Sequence, residues 1–361
     1  MRTAVFIVGT RAQLIKVAPI VVECESHHLP VMLLMTGQHH ETMQDILDEF
    51  GVVSPILSAV PATEHATVSS LLRWLPSAYR GVKRQLRNLQ LDSVQLDVLV
   101  HGDTLSTLIG AFAGRRCGAR VIHVESGLTS GRLFDPFPEE AVRRLVFRLA
   151  DVALCPDEAA VRRMRNYHEM DVIDTMGNTI LDAIRLAGVN GAQTSQPVVP
   201  NLVVSLHRFQ NIFFRARLSY LVTLLERLAK THAIHFILHP ATRKRLKKTK
   251  LWRQLEENPR IHLRPRMAYG EFLRLAAGAT CVLTDGGSNQ EELAAIGVPT
   301  IIMRARSERP DGLGKNIILE ADAKPDVATF LESGGPMKLY NDKEVTPGNS
   351  PSARIVQMLW P

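Results

Sequence analysis

The sequence predicts an α/β protein made of two domains, each with a parallel sheet. Short apolar runs alternate with helical patterns in both halves of the chain, which is typical of parallel layers. Residues 188–201, GVNGAQTSQPVVPN, form the clearest linker, because Gly, Pro, Ser and Asn cluster there. We therefore expect one Rossmann-like domain over residues 1–187, a second over 188–350, and a short amphipathic helix over 351–361. Two such domains are expected to face each other across a central cleft.

Each strand is predicted where a β-rich or apolar run stops at a polar or glycine-containing turn. In the first half these runs lie at residues 3–8, 31–35, 98–100, 121–124, 152–155 and 172–175. In the second half they lie at residues 202–206, 235–238, 280–283 and 299–303. Helical patterns separate the runs, including 71–89, which contains Pro76, whereas residues 54–65 are predicted to be loop.

Composition and charge narrow the class of protein. The chain has 361 residues, of which 45% are hydrophobic and 22% charged, as in an ordinary globular protein. No apolar run approaches the roughly 20 residues that span a bilayer. The N-terminus is interpreted as a first strand rather than a signal peptide, so we expect a cytoplasmic protein without membrane insertion. The net charge of +7 suits an anionic ligand such as a nucleotide.

Two other features are predicted to form no site. The cysteines lack the spacing of a zinc site or of a disulfide framework, so no metal is expected and a reducing compartment fits. They are Cys24, Cys117, Cys155 and Cys281. The basic run 243–250, RKRLKKTK, is interpreted as a solvated helix face rather than a nucleic-acid site, because no aromatic residue interrupts it.

Three acidic residues are predicted to converge at one edge of the first sheet. Asp103 and Glu125 follow two consecutive strands, and ligands bind beyond the carboxyl ends of strands in such sheets. Glu139 opens the next helix after Pro138. Taken singly, Asp103 or Glu125 is more simply explained as a helix cap or a loop acid. Together, the three acids favour a functional site.

A helix entrance in the first half is predicted to bind the anionic part of a ligand. Gly9 permits a close backbone approach, and Arg11 and Lys16 bracket a helix N-terminus, whose N–H groups favour anions. The alternative is a tight turn with two surface cations.

The second half offers a similar entrance. Gly286, Gly287 and Ser288 expose backbone N–H groups at a helix N-terminus, and Glu292 lies where it can accept the hydroxyls of a ribose. His207 ends a strand of the same sheet and is a candidate proton donor or cation beside a phosphate. The alternatives are a glycine turn with favourable N-terminal acids, and a structural histidine.

Nine short motifs occur in one order along the chain. They are GTRAQLIK from residue 9, TGQH from 36, HGDT at 101–104, HVESGL at 123–128, PFPEEAVR at 136–143, GNTILDA at 177–183, HR at 207–208, TDGGSNQEE at 284–292 and ERP at 308–310. In this order they resemble the UDP-N-acetylglucosamine 2-epimerases, especially the non-hydrolysing bacterial kind. The resemblance covers nearly the whole chain and extends to the tail, TPGNSPSARIVQML.

The resemblance implies a GT-B fold, with the last helix packed on the first domain, and a homodimer that binds a UDP-sugar. It implies that the enzyme interconverts UDP-GlcNAc and UDP-ManNAc by eliminating UDP to give a 2-acetamidoglucal and then adding UDP back. It also implies a role in cell-surface polysaccharide synthesis and a reaction that needs no metal or redox cofactor. It assigns Asp103, Glu125 and Glu139 to acid–base chemistry near C2, and His207 to the leaving phosphate. The residues expected to bind the substrate and its nucleotide are Arg11, Lys16, Gln38, His39, Arg143, Arg208, His239, Gly286, Gly287, Ser288, Glu292 and Arg309.

Four departures from the family pattern surround the expected sugar and phosphates. The family has Pro-Glu at Ala12-Gln13, Arg at Thr129, Asn at Val142 and Ser-Gly-Gly at Gly286-Gly287-Ser288. They leave the acid–base set intact but put the identity of the sugar in question. A hydrolysing 2-epimerase and a nucleotide-sugar glycosyltransferase on the same fold are the alternatives, ahead of a non-catalytic sensor or a nucleic-acid binder.

Overall fold

The computed structural model describes residues 2–38, 43–61, 68–89, 95–129, 131, 138–167, 169–189, 191, 200–307, 310–339 and 350–361. The chain separates into two compact units, one of residues 1–186 and 347–361 and the other of residues 187–346. Each unit is built around one parallel sheet, which confirms the predicted fold class. Within the described residues, no helix is both long enough and apolar enough to cross a bilayer.

The first unit has seven described strands in the order β3-β2-β1-β4-β5-β6-β7, all parallel. The strands are β1 (Thr3–Val8), β2 (Val31–Met35), β3 (Ile56–Ser58), β4 (Leu96–His101), β5 (Arg120–Val124), β6 (Val152–Cys155) and β7 (Asp171–Asp174). The helices are α1 (Arg11–Ser26), α2 (Gln44–Phe50), α3 (Val68–Asn88), α4 (Leu105–Arg116), α5 (Glu139–Leu149), α6 (Glu158–Arg165) and α7 (Ile180–Leu186). The central strands read as continuous apolar runs because helices cover both faces of such a sheet.

The second unit has six described strands in the order β10-β9-β8-β11-β12-β13, again all parallel. The strands are β8 (Asn201–Ser205), β9 (Ala233–Leu238), β10 (Ile261–Pro265), β11 (Cys281–Thr284), β12 (Thr300–Ile302) and β13 (Ile317–Leu319). The helices are α8 (Phe209–Ile212), α9 (Arg215–Leu228), α10 (Pro240–Lys248), α11 (Trp252–Glu256), α12 (Tyr269–Ala277), α13 (Gly287–Ile296) and α14 (Val327–Glu332).

The last helix, α15 (Pro351–Leu359), returns to the first unit and packs against α1 and α7. Asp182 accepts a hydrogen bond of 2.8 Å from the backbone N–H of Ser352. At the other end, the Trp360 indole donates to Asp97, a fully buried carboxylate that Arg2 and Arg120 also hold. A charge that is buried is costly unless it is paired, so these donors fix the chain end to the sheet.

The sequence did not predict three short strands. The prediction of a loop over residues 54–65 was wrong for β3, which lies at the sheet edge. β10 and β13 end the second sheet and were not predicted either. Edge strands are short and partly exposed, so they lack the continuous apolar run that identified the central strands.

Candidate functional site

The strand order reverses at one point in each sheet, and the predicted site residues follow the strands at those points. In the first unit the reversal lies between β1 and β4, and in the second it lies between β8 and β11. At such a reversal the following loops diverge to opposite faces and leave a crevice at the carboxyl edge. Arg11 and Asp103 follow the first pair of strands, and His207 and Gly286 follow the second.

Glu125 lies against two nitrogen groups at the end of β5, and the Lys16 ammonium donates a hydrogen bond to it. The Lys16 ammonium lies 2.7 Å from its Oε2 atom, and His101 Nε2 lies 2.9 Å from the same oxygen. All three side chains are buried. Glu125 also has a φ of 63°, in the left-handed region that a residue with a side chain rarely adopts. The structure thus pairs Lys16 with an acid of its own unit, in a strained turn typical of functional sites.

Asp103 lies in the loop between β4 and α4 and is bound by Arg143 from α5. The Arg143 guanidinium donates to an Asp103 oxygen and, at 3.1 Å, to Glu140 Oε2. Glu140 is fully buried and also accepts from Arg144 at 3.2 Å and from the Thr129 hydroxyl. Sequence reasoning gave Glu140 no role, although its place beside Glu139 in the first turn of a helix was a signal.

Glu139 differs from the other two acids in its surroundings. It begins α5 and is half-buried, and its Oε2 atom is shielded from solvent. Among the described residues this oxygen has no hydrogen-bond partner. A shielded carboxylate oxygen without a donor is costly, and such exceptions mark positions that a ligand or a proton can complete.

Gln13 joins the two loops at the reversal point. Its Oε1 atom accepts from the N–H groups of Gly9 at 2.9 Å and Thr10 at 3.2 Å, as part of the N-cap of α1. Its Nε2 atom donates to the His101 carbonyl at 2.7 Å and to the Thr107 hydroxyl at 2.9 Å. A carboxylate cannot donate, so only an amide completes this buried set of four bonds.

The other predicted residues of the β1 and β2 loops have internal partners. Arg11 forms a two-point ion pair with Asp45 at 2.5 and 2.6 Å. Gln38 Oε1 accepts from the N–H and hydroxyl of Ser106 at the start of α4. Gly9 is needed for close packing, since a Cβ atom there would lie 1.9 Å from Ser106 Oγ. His39 and Arg309 lie outside the described residues.

In the second unit, the buried Asp285 organises the loop that carries His207. Its carboxylate accepts from the backbone N–H groups of His207 and Arg208, at 3.0 and 2.9 Å, and from the Asn211 amide at 2.8 Å. His207 Nδ1 lies 3.2 Å from the same carboxylate, and the His239 ring centre lies 5.4 Å from that of His207. Asp285 was not predicted; its place at a strand end before two glycines was the available signal.

The electrostatics of His207 favour the neutral ring. Burial is the largest cause that lowers the pKa of His207, and His239, Arg208 and Arg266 lower it further, while Asp285 opposes them. His239 Nδ1 accepts from the Ala241 N–H at 3.4 Å, the N-terminus of α10. The arrangement leaves His207 Nε2 as the ring nitrogen that does not face Asp285.

The N-terminus of α13 has the form predicted for an anion site. Gly286 is the N-cap residue, and Gly287 begins the helix. A Cβ atom on Gly286 would lie 3.3 Å from His207 Cε1, so the glycine and the histidine are neighbours. Ser288 follows Gly287 in the first turn, and Glu292 is buried in the next. Within the part of the chain that the structure describes, no cluster of His, Cys, Asp and Glu suits a metal ion.

Comparisons with known proteins agree on one family. A family model described as UDP-N-acetylglucosamine 2-epimerase matches residues 22–330. The chain is 30% identical over 335 residues to a UDP-N-acetylglucosamine 2-epimerase of Methanocaldococcus jannaschii, covering 87% of each protein. It is 28% identical over 323 residues to that of Bacillus subtilis strain 168, covering 84% of this chain and 79% of the relative.

Solved structures give the same result and identify the fold as GT-B. The Methanocaldococcus jannaschii enzyme in complex with UDP-GlcNAc and UDP is similar with a TM-score of 0.75 and 27% identity, over 99% of each chain. A Streptomyces glycosyltransferase complexed with thymidine diphosphate shares the fold alone, with a TM-score of 0.57 and 10% identity. With these matches added to the acids, the histidine and the helix entrances described above, the chain belongs to the UDP-N-acetylglucosamine 2-epimerase family.

Proposed function

We propose that the protein interconverts UDP-GlcNAc and UDP-ManNAc, or a closely related pair of UDP-N-acetylhexosamines, at C2 of the sugar. Family membership supports the substrate class, since relatives carry this name and one is solved with UDP-GlcNAc bound. The observation that carries the proposal is the set of three acids, Asp103, Glu125 and Glu139, all in the first unit and each in a different electrostatic setting. Transfer of a sugar to an acceptor needs no deprotonation at C2, so such a set favours epimerisation.

The reaction begins with departure of UDP, which breaks the bond between C1 and the phosphate oxygen. C1 becomes cation-like and acidifies the C2–H bond, whose proton passes to a carboxylate, so that a 2-acetamidoglucal forms. Return of a proton to the opposite face of C2, and of the phosphate oxygen to C1, gives the epimer. The enzyme therefore needs two groups that exchange protons at C2, and negative charge near C1.

The surroundings of the acids suggest a division of roles. Glu125 is paired with the Lys16 ammonium at 2.7 Å, which favours its ionised form and suits it to stabilise positive charge at C1. Glu139 has an oxygen without a hydrogen-bond partner among the described residues, which suits it to take or give a proton. Asp103, oriented by Arg143, is proposed as the partner acid for the opposite face.

The second unit is proposed to hold UDP. The N-terminus of α13, with Gly286 and Gly287, offers backbone N–H groups to a phosphate. Burial lowers the pKa of His207, which favours its neutral form in the free protein, and an adjacent diphosphate would favour its protonation. Its Nε2 atom can then donate to the leaving oxygen and take the proton back on re-addition.

Eight further residues remain proposed substrate contacts, of which two lie outside the residues that the structure describes. The described ones are Arg11, Gln38, Arg143, Arg208, His239 and Glu292, and the other two are His39 and Arg309. Because Arg11 is paired with Asp45 at 2.5 Å, we propose that a phosphate replaces that carboxylate when substrate binds. Exchange of one anionic partner for another keeps the guanidinium paired throughout.

The test is incubation with UDP-GlcNAc in D2O, followed by NMR. Epimerisation predicts deuterium at C2 and the appearance of UDP-ManNAc. Free UDP with ManNAc would instead identify a hydrolysing 2-epimerase, and unchanged UDP-GlcNAc would refute this substrate assignment. Asp103→Asn and Glu139→Gln are each expected to lower turnover by at least about a hundredfold, the scale of a positioned acid–base group. Glu256→Gln, an exposed acid on α11, is the matched control and should retain activity.

We also infer a cytoplasmic homodimer. An apolar cavity of about 550 Å³ opens between α3, α4 and α5, with Tyr79, Leu108 and Leu149 in its wall and Phe112 and Leu145 exposed at 40% and 46%. Exposed apolar patches of this kind commonly mark a protein interface. Phe112→Arg is expected to convert the dimer to a monomer in light scattering; an unchanged mass, or a monomeric wild type, would contradict this assignment.

The four free thiols suit a reducing compartment.

A further inference from the structure

Three phenylalanine side chains project from the second unit beside α10 and have no part in the proposed chemistry. Phe209, Phe213 and Phe214 are 56%, 50% and 58% exposed, at and just after the short helix α8. Large apolar side chains are usually buried, and three together at the surface usually mark an interaction site. We call these residues, with the neighbouring cations Arg215, Lys244 and Lys248, the α8–α10 surface.

The phenylalanines form a compact apolar projection rather than a set of open ring faces. Phe209 and Phe213 are stacked, with ring centres 4.2 Å apart, and Phe214 meets Phe209 edge-on at 5.8 Å. The Arg245 guanidinium lies 5.3 Å from the centre of the Phe213 ring. Phe213 thus has Phe209 against its ring and a guanidinium nearby, so part of its ring surface is already in contact with other side chains.

Cations border this projection on the α10 side. Arg245 donates to the carbonyls of Ile212 and Phe213 at 3.2 and 2.5 Å, which joins α10 to the phenylalanines. Lys244 and Lys248 are exposed, one turn apart on the same helix, and Lys248 is three residues from Arg245. Residues three or four apart share a helix face, so Lys248 lies on the face of α10 from which Arg245 contacts Phe213, and Lys244 lies one turn from Lys248.

The chain segments that form this surface are rich in cations and contain no acid. Residues 207–225 and 240–255 include ten Lys and Arg residues and no Asp or Glu. Arg217 is paired with Glu320 from outside these segments and is not counted with the surface. No aromatic residue interrupts the basic run in the sequence, but the structure brings aromatic side chains from outside the run against it. Trp252 lies under Arg243 and Lys247, at 5.8 and 4.9 Å, and Phe213 lies beside Arg245. The run is therefore part of a mixed aromatic and cationic surface.

We propose that the α8–α10 surface docks the protein on an anionic phospholipid bilayer. An apolar projection enters the boundary between headgroups and acyl chains, while the surrounding Lys and Arg side chains pair with anionic headgroups. In a nucleic-acid site the aromatic rings stack on bases, whereas Phe209 and Phe213 stack on each other, with ring centres 4.2 Å apart, and this favours the bilayer. The docking is peripheral and reversible, and it does not depend on the epimerase activity proposed above.

The experiment is sedimentation of the full-length protein with vesicles of phosphatidylcholine, with or without 30% phosphatidylglycerol, at low and high salt. We expect binding only to the anionic vesicles, weakened by salt. Replacement of Arg215, Lys244 and Lys248 by serine should weaken partitioning about a hundredfold, since each cation near such a surface contributes about fivefold. The matched control replaces three exposed arginines of α3, Arg80, Arg84 and Arg87, by serine, which removes the same charge.

A second variant separates insertion from simple charge attraction. Phe214→Trp places a fluorophore at the most exposed ring, in a background in which Trp74, Trp252 and Trp360 are replaced by phenylalanine. We expect a blue shift with anionic vesicles and quenching by brominated acyl chains. Equal losses in the two serine triples, no quenching, or tighter binding to a single-stranded oligonucleotide than to the vesicles would each overturn the proposal. Circular dichroism checks that every variant is folded.

Discussion

The amide of Gln13 offers the sharpest test of how the first unit is held together. It is 2% exposed and connects the entrance of α1 to the loop that carries Asp103. Gln13→Glu keeps the shape and the acceptor for the Gly9 and Thr10 N–H groups, but removes both donors. The resemblance of the motif around residue 9 implies a Glu at this position, so sequence reasoning alone would predict no harm.

The expected loss of stability in Gln13→Glu follows from the hydrogen bonds that the Gln13 amide donates. The two donors serve the His101 carbonyl at 2.7 Å and the Thr107 hydroxyl at 2.9 Å. The Thr107 hydroxyl still donates to His101, so loss of the donors costs about 1–2 kcal/mol. Keeping the introduced carboxyl protonated at pH 8 costs up to about 5 kcal/mol, at 1.36 kcal/mol per pH unit above its ordinary pKa of about 4.3.

The pKa of the introduced carboxyl sets the direction in which the stability of Gln13→Glu changes with pH. Burial beside a carbonyl and a hydroxyl oxygen raises the pKa of the introduced carboxyl in the folded state above its unfolded value. The variant is therefore least harmed near pH 5, and its deficit grows as the pH rises towards 8. We expect a deficit of about 2–3 kcal/mol at pH 5, where protonation costs about 1 kcal/mol, and a deficit larger by up to about 4 kcal/mol at pH 8.

The assay is urea unfolding in a Trp252→Phe background, so that fluorescence reports Trp74 and Trp360 of the first unit. Gln254→Glu, on the exposed side of α11, is the matched control and should change the free energy of unfolding by less than about 0.5 kcal/mol. A Gln13→Glu deficit that is no larger than the control's, or that is equal at pH 5 and pH 8, would refute the reasoning.

Three further predictions concern buried groups of the same fold. Gly9→Ala should destabilise the protein by about 1–3 kcal/mol, because its Cβ atom would lie 1.9 Å from Ser106 Oγ. Adding Ser106→Ala to this variant should restore part of the lost stability in thermal unfolding, and the absence of any recovery would contradict the contact. Burial lowers the pKa of His123 from 6.5 to about 3. The free energy of unfolding should therefore fall by on the order of 3 kcal/mol as the pH drops from 7 to 4, because the unfolded state then binds a proton that the buried ring does not. His123→Gln should show a smaller fall, and an equal fall would contradict the lowered pKa. Ellman's reagent at pH 8 should label one thiol quickly, that of the half-exposed Cys117, and fast labelling of two or more would disprove the burial argument. The slow thiols have pKa values that burial raises to about 12: Cys24, Cys155 and Cys281.

The alternation of apolar runs and helical patterns was sufficient to predict two parallel sheets. Helices cover the central strands of such a sheet on both faces, so strands such as Thr3–Val8 are apolar along their length and stand out in the sequence. The same logic placed Asp103 and Glu125 at strand ends, where the structure has them. Short edge strands escaped prediction because their exposed residues carry no such pattern.

The partners of the charged residues could not be predicted in this way. Lys16 and Arg11 were interpreted as anion contacts from their place at a helix entrance, yet in the structure they pair with Glu125 and Asp45. Lys16 and Glu125 are 109 residues apart in the chain, and they meet because β1 lies beside β4 and β4 beside β5. No local pattern contains that information.

The sequence by itself thus determined the central strands and the helices between them, which of the strand ends carry polar side chains, and, through the order of its motifs, the family. Only the tertiary structure decided which acids are already neutralised and which keep an unpartnered oxygen, as in Glu139 among the described residues. The physical reason is that secondary structure depends on neighbours within a few residues, whereas burial and ion pairing depend on which strands lie side by side.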